Sequence, residues 1–91
     1  MNYIANYNGK FFERKEYDAE KKKKIIHYLN KFSPSVFTSE PLIDIFTEKK
    51  ISDADNGYSD GEYEWYDSDI YYFEHYNLKI DENFVKKIVE N

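Results

Sequence analysis

Residues 51–77 read ISDADNGYSDGEYEWYDSDIYYFEHYN. They hold Asp53, Asp55, Asp60, Glu62, Glu64, Asp67, Asp69 and Glu74, and no Lys or Arg occurs between Lys50 and Lys79. Between the acids stand Tyr58, Tyr63, Trp65, Tyr66, Tyr71, Tyr72, Phe73 and Tyr76. Two periodicities meet in this stretch. From Glu62 to Tyr66, acid and aromatic alternate, which sets Tyr63 and Trp65 on one face of a strand and Glu62, Glu64 and Tyr66 on the other. From Asp67 or Ser68, either of which can cap a first turn, the spacing becomes that of a short helix through Tyr76, with Ile70 and Phe73 inward.

Downstream, Leu78 and Ile80 form an extended link. Asp81 then caps a last helix that buries Phe84, Val85, Ile88 and Val89. Upstream, Asp53 to Gly61 reads as a loop, with Asn56-Gly57 and Asp60-Gly61 as turn signals. Ser39-Glu40-Pro41 has the features of a helix start, followed by a Leu42, Ile45, Phe46 stripe and by Lys49-Lys50 at the negative end. Ile43 and Ile45 could instead mark a strand. Val36 to Thr38 is expected as a short strand, after Ser33-Pro34-Ser35 ends a helix over residues 18–32. That helix is capped by Asp18, and Ile25, Tyr28, Leu29 and Phe32 form its apolar stripe. Asn8-Gly9 predicts a hairpin over residues 2–15, because both central positions of such a turn need positive φ. The sum is one α+β domain spanning 1–91: about three short antiparallel strands packed against three or four helices.

Ninety-one residues suffice for one small core. With no Cys there is neither a disulfide framework nor a thiolate metal site. No apolar run reaches the roughly 20 residues of a membrane span. The opening MNYIANYNGK lacks the layout of a secretion signal, so a cytosolic protein is the expectation. The net charge of -5 is unevenly spread: residues 51–78 carry -8 and the remainder +3. Nucleic acid would be repelled by the acidic half, whereas a basic protein would be attracted to it. Lys21 to Lys24 place four cations on one helical turn, which reads as a solvated face balancing the acids, with a phosphate-binding patch as the sharper alternative. His27, set among apolar neighbours, reads as a packed residue.

Several chemistries can be weighed against these residues. From Asp53 to Glu64 the oxygens run almost like an EF-hand, but Gly57 stands at the fifth position and Tyr58 at the sixth, so the calcium pattern slips by one. Glu62 and Glu64 on one strand face lie about 6.6 Å apart, a spacing open to paired-carboxylate hydrolysis. A small domain leaves little room for a sugar cleft. No nucleophile elbow, Gly-rich phosphate loop or HExxH motif occurs. No catalytic residue, metal or cofactor is therefore expected.

The run Asp60-Gly61-Glu62-Tyr63, Trp65, Ile70 to Glu74, Tyr76 to Leu78, Ile80 and Phe84 resembles the C-terminal pattern of small bacterial proteins in which an aromatic helix leads through a short link to a last helix. By physical type (small, acidic, without Cys, rich in Tyr) the chain is similar to toxin-immunity proteins and phage-encoded inhibitors, anti-CRISPR proteins among them. That likeness implies a stoichiometric inhibitor whose carboxylates stand where phosphates would bind. The expected contact residues are Asp53, Asp55, Asp60, Glu62, Glu64, Asp67 and Asp69, with Tyr58 and Tyr66 as aromatic anchors, and the partner is a basic protein surface on a nuclease toxin or a CRISPR effector. A homo-oligomer formed through the aromatic cluster and a nucleic-acid binder using Lys21 to Lys24 are the alternatives.

Overall fold

The computed structural model describes residues 2–5 and 11–90. In chain order the elements are β1 (Asn2–Tyr3), α1 (Ala19–Asn30), β2 (Leu42–Ile43), β3 (Lys50–Ser52), β4 (Gly57–Ser59), β5 (Tyr63–Tyr66), α2 (Asp67–Tyr76) and α3 (Glu82–Val89). The architecture is α+β: among the described residues there are three helices, a three-stranded sheet ordered β1-β5-β4 and a two-stranded sheet β2-β3. The larger sheet is mixed: β4 runs antiparallel to β5, while β1 joins it in parallel, with Asn2 opposite Tyr63. The Asn8-Gly9 turn expected near the start of the chain lies outside the described residues. Residues 13–15 run beside the link after α2, where Lys79 N–H donates to Glu13 C=O and Lys15 N–H donates to Asn77 C=O.

The helices at the two ends of the pattern form for the reasons visible in their sequences. Asp18 accepts from Lys21 N–H and starts α1, which buries Ile25 and Leu29. Asp81 accepts from Phe84 N–H and starts α3, which buries Phe84, Val85 and Ile88. Strand β5 alternates as expected, with Tyr63 and Trp65 buried and Glu64 and Tyr66 half-buried. Trp65 is 0 % exposed. Its indole N–H donates to Leu29 C=O at 3.2 Å, and the rings of Phe32, Phe84 and Tyr28 lie at 5.5, 5.6 and 6.2 Å. The core is thus aromatic, and β5 runs through it.

Four local expectations are corrected. Residues 39–50 are not a helix: Leu42–Ile43 and Lys50–Ser52 pair as antiparallel strands around a turn. The cause is Asp44, whose Oδ1 accepts from Phe46 N–H at 2.8 Å and Thr47 N–H at 3.1 Å, closing an Asx turn that competes with a helix. Glu48 completes the reversal at φ 64.

Second, the loop before β5 contains β4. Gly57 sits in that strand rather than in a turn because another backbone comes close. Its N–H donates to Val36 C=O at 2.8 Å, and a Cβ at this position would lie 3.1 Å from Val36 Cβ. Third, Val36 contributes only that single bridge, so residues 36–38 do not make a strand. Asp60-Gly61 is the real turn, with Gly61 at φ 97. Fourth, His27 is exposed rather than packed. Among the described residues, no helix is long and apolar enough to cross a membrane.

Candidate functional site

The nine residues expected to face a partner fall into two groups and two isolated positions. At the turn between β4 and β5, Asp60 is drawn inside. Its side chain is 2 % exposed and pairs with Lys87 Nζ at 2.8 Å. The Tyr28 hydroxyl donates to the same oxygen at 2.7 Å, while the amides of Glu62 and Tyr63 donate to the other at 2.9 and 2.8 Å. Burial works to raise the Asp60 pKa, but the Lys87 ammonium, the Tyr28 hydroxyl and the two amides outweigh it and hold the carboxyl well below the usual range. Burial and the Asp60 charge in turn push the Tyr28 hydroxyl up to about 12. Glu62 remains largely in solvent and shares Lys87 at 2.8 Å.

The second group collects at the N-terminus of α2, where helical N–H groups have no partner within the helix. Asp69 accepts from Tyr66 N–H at 2.8 Å, so Tyr66 occupies the cap position expected for Asp67 or Ser68. Asp55 accepts from Ser68 N–H at 2.9 Å. Asp67 turns back to accept from Asn56 N–H at 2.9 Å and from the Tyr58 hydroxyl at 2.6 Å. Burial, then the Asp67 carboxylate, raise Tyr58 to about 12. The acids gathered here hold the end of a helix whose dipole favours negative charge.

The isolated positions are Asp53, exposed and paired with Lys50, and Glu64, half-buried on β5 opposite Tyr3 of β1. Glu62 and Glu64 therefore do not present a matched pair of open carboxylates. The 53–64 segment is no calcium loop either, since β4 occupies its middle. Among the described residues, no three His, Asp or Glu side chains come together as a metal cage.

Two features escape a reading of the sequence. Asp44, 1 % exposed, accepts from the Tyr71 and Tyr76 hydroxyls, both at 2.6 Å, in addition to its two turn amides. Burial alone would raise its pKa, but these four donors lower it below the ordinary carboxylate range. The Asp44 bond, helped by burial, pushes Tyr71 up to about 12. The interleaving of Tyr and Asp was the available signal, because a phenol donates one bond and an ionised carboxylate only accepts. The second feature is apolar. Val36, Phe37, Ile43 and Ile51 are exposed, and none lies beyond the first residue of the acidic stretch.

The lysines behave differently from the acids. Lys23 and Lys24 are exposed on α1. Lys22 donates to the Asn77 side chain at 2.9 Å, and Lys31 lies 4.7 Å above the Tyr28 ring. Comparison of the chain with protein-family models, with curated proteins and with solved structures found no match.

Proposed function

We propose that this protein acts by occupancy, as a stoichiometric inhibitor that covers a basic surface on a nucleic-acid-handling protein such as a nuclease toxin or a CRISPR effector. The observation that carries this is a charge balance. Lys50 pairs with Asp53, and Lys87 with Asp60 and Glu62. The donors to Asp55 and Asp67 are amides and a hydroxyl, which orient a carboxylate without discharging it. Eight carboxylates and no Lys or Arg within residues 51–78 leave that stretch strongly negative, and such a field speeds encounter with a cationic partner. The exposed apolar side chains upstream supply the dry contact area that charge alone does not.

The direct test is titration into cleavage assays of a CRISPR effector panel and a nuclease-toxin panel. Inhibition that saturates at one equivalent, is competed by added nucleic acid and weakens as salt rises supports the proposal. An affinity for the responding target that stays flat from low to high salt, or a panel that never responds, counts against it. A second reading rests on Phe37, which is 76 % exposed: a homodimer could cover it. Light scattering across a concentration series distinguishes the two, since occupancy of another protein requires a dissociable or monomeric chain.

A further inference from the structure

Two surfaces could carry the contact with a basic partner: the acidic strand β5 and a hollow beside β2. At β5, Glu62 just before the strand is paired with Lys87, and Glu64 within it is half-buried opposite Tyr3. The hollow is different. It encloses about 300 Å3 between β2 and the first turn of α2, and Leu42, Ile43, Ile45 and Tyr72 give it apolar walls. Asp55 is its one charged lining residue. Oδ1 of Asp55 holds Ser68 N–H, and among the described residues its second oxygen accepts from no donor. Thr38 runs alongside, its hydroxyl donating to the backbone C=O of Asp55 and its N–H to Asn56 Oδ1. The exposed Ile43 stands in the wall of the hollow, and the exposed Phe37 immediately precedes Thr38 in the chain.

An apolar hollow with a single acceptor-only oxygen matches one side chain in particular. The stem of arginine packs along aliphatic walls while its guanidinium donates to a carboxylate, and it loses less hydration on entry than lysine does. We infer that this hollow receives an arginine from the partner, flanked by an apolar residue that covers Phe37 or Ile43. The inference rests on the partner being a basic protein and specifies where, and by which residue, that partner is gripped.

The probe is a labelled peptide of alternating Leu and Arg, with Leu-Lys and Leu-Glu peptides as comparisons, read by fluorescence anisotropy on the full chain. Asp55→Asn keeps the oxygen that caps Ser68 but removes the charge, and should weaken Leu-Arg binding about tenfold. Ile43→Ser leaves the cap untouched and should weaken it about threefold. Glu62→Gln, just before β5, takes one charge from the same field and should weaken it far less than Asp55→Asn does, and Leu-Lys should bind more weakly than Leu-Arg. The inference is overturned if Asp55→Asn and Ile43→Ser bind like the parent, if Glu62→Gln weakens binding as much as Asp55→Asn, or if the parent ignores the Leu-Arg peptide. An Asp55→Asn variant that still inhibits a responding nuclease at one equivalent removes the hollow from the contact and leaves the occupancy mechanism standing. Failure of the parent to bind any basic protein removes the mechanism itself.

Discussion

Residues 51–78 and the turn Lys21–Lys24 are the two charged concentrations of this chain, and the fold treats them in opposite ways. Asp55, Asp60, Asp67 and Asp69 in the first are each fixed by specific donors. In the second, Lys22 and Lys24 each reach one acceptor, the Asn77 side chain and Val89 C=O, and Lys23 stands in solvent. The difference lies in what each charged group can bond. A carboxylate accepts, and the fold has donors to spare: the unpaired amides at the start of α2, the turn amides after Asp60, and phenols. An ammonium donates, and most backbone acceptors are already consumed by helix and sheet. A cluster of acids among tyrosines is therefore self-partnering, while a cluster of lysines depends on the few acceptors left at the ends of other elements.

Asp60 gives the sharpest test of that contrast. Asp60→Ala leaves Lys87, the Tyr28 hydroxyl and two turn amides without their acceptor. It should cost about 3 kcal/mol in urea unfolding. A loss below about 0.5 kcal/mol would mean that the acids are surface decoration after all.

The next largest effect should come from alkali. Tyr28, Tyr58 and Tyr71 titrate near 12 in the folded chain, against an ordinary value of 10.0. Between those values the unfolded chain binds fewer protons than the native one, so stability present below pH 10 declines as pH rises toward 12. Tyrosinate absorbance should show these hydroxyls ionising together with unfolding rather than ahead of it. At the acid end the sign reverses. Asp44 and Asp60 lie below their ordinary 3.8 in the fold, so the stability they give is full above about pH 4 and is lost as pH falls through their folded values.

How far the chain could be read in advance follows the same division. Helices α1 and α3 were legible because a capping Asp and an apolar stripe are local, and β5 was legible because alternation is local. The turn at Asp44 was not, because Leu42, Ile45 and Phe46 fit a helix stripe equally well. What decides against a helix is a carboxylate bonded to two amides beside it and to two tyrosines some thirty residues away. Gly57 misled for a related reason: the backbone it admits belongs to Val36, far off in sequence. For the candidate site, sequence located the charge but not its direction. Orientation depends on where the donors lie, and Lys87 and Tyr28 reach Asp60 only once α1 and α3 have packed together.

A smaller effect should come from Tyr58→Phe, which removes one hydroxyl and leaves Asp67 with the Asn56 amide alone. Because Asp67 is only half-buried and water can replace the hydroxyl, the loss should be about 1 kcal/mol. Matched losses in Tyr58→Phe and Asp67→Asn, with no further loss in the double variant, would identify the pair as one unit.

The smallest effect should appear on the other side of the comparison. Lys23 is exposed, and its neighbours Lys22 and Lys24 carry the same charge one residue away on either side. Lys23→Ala removes a long solvated side chain, relieves part of that repulsion and introduces a better helix former. Stability should therefore change by no more than about 0.5 kcal/mol, with a slight gain at low salt that fades as salt rises. A clear loss would show that this lysine holds an acceptor, and the opposition between partnered acids and solvated lysines would then fail at the position where it is simplest to check.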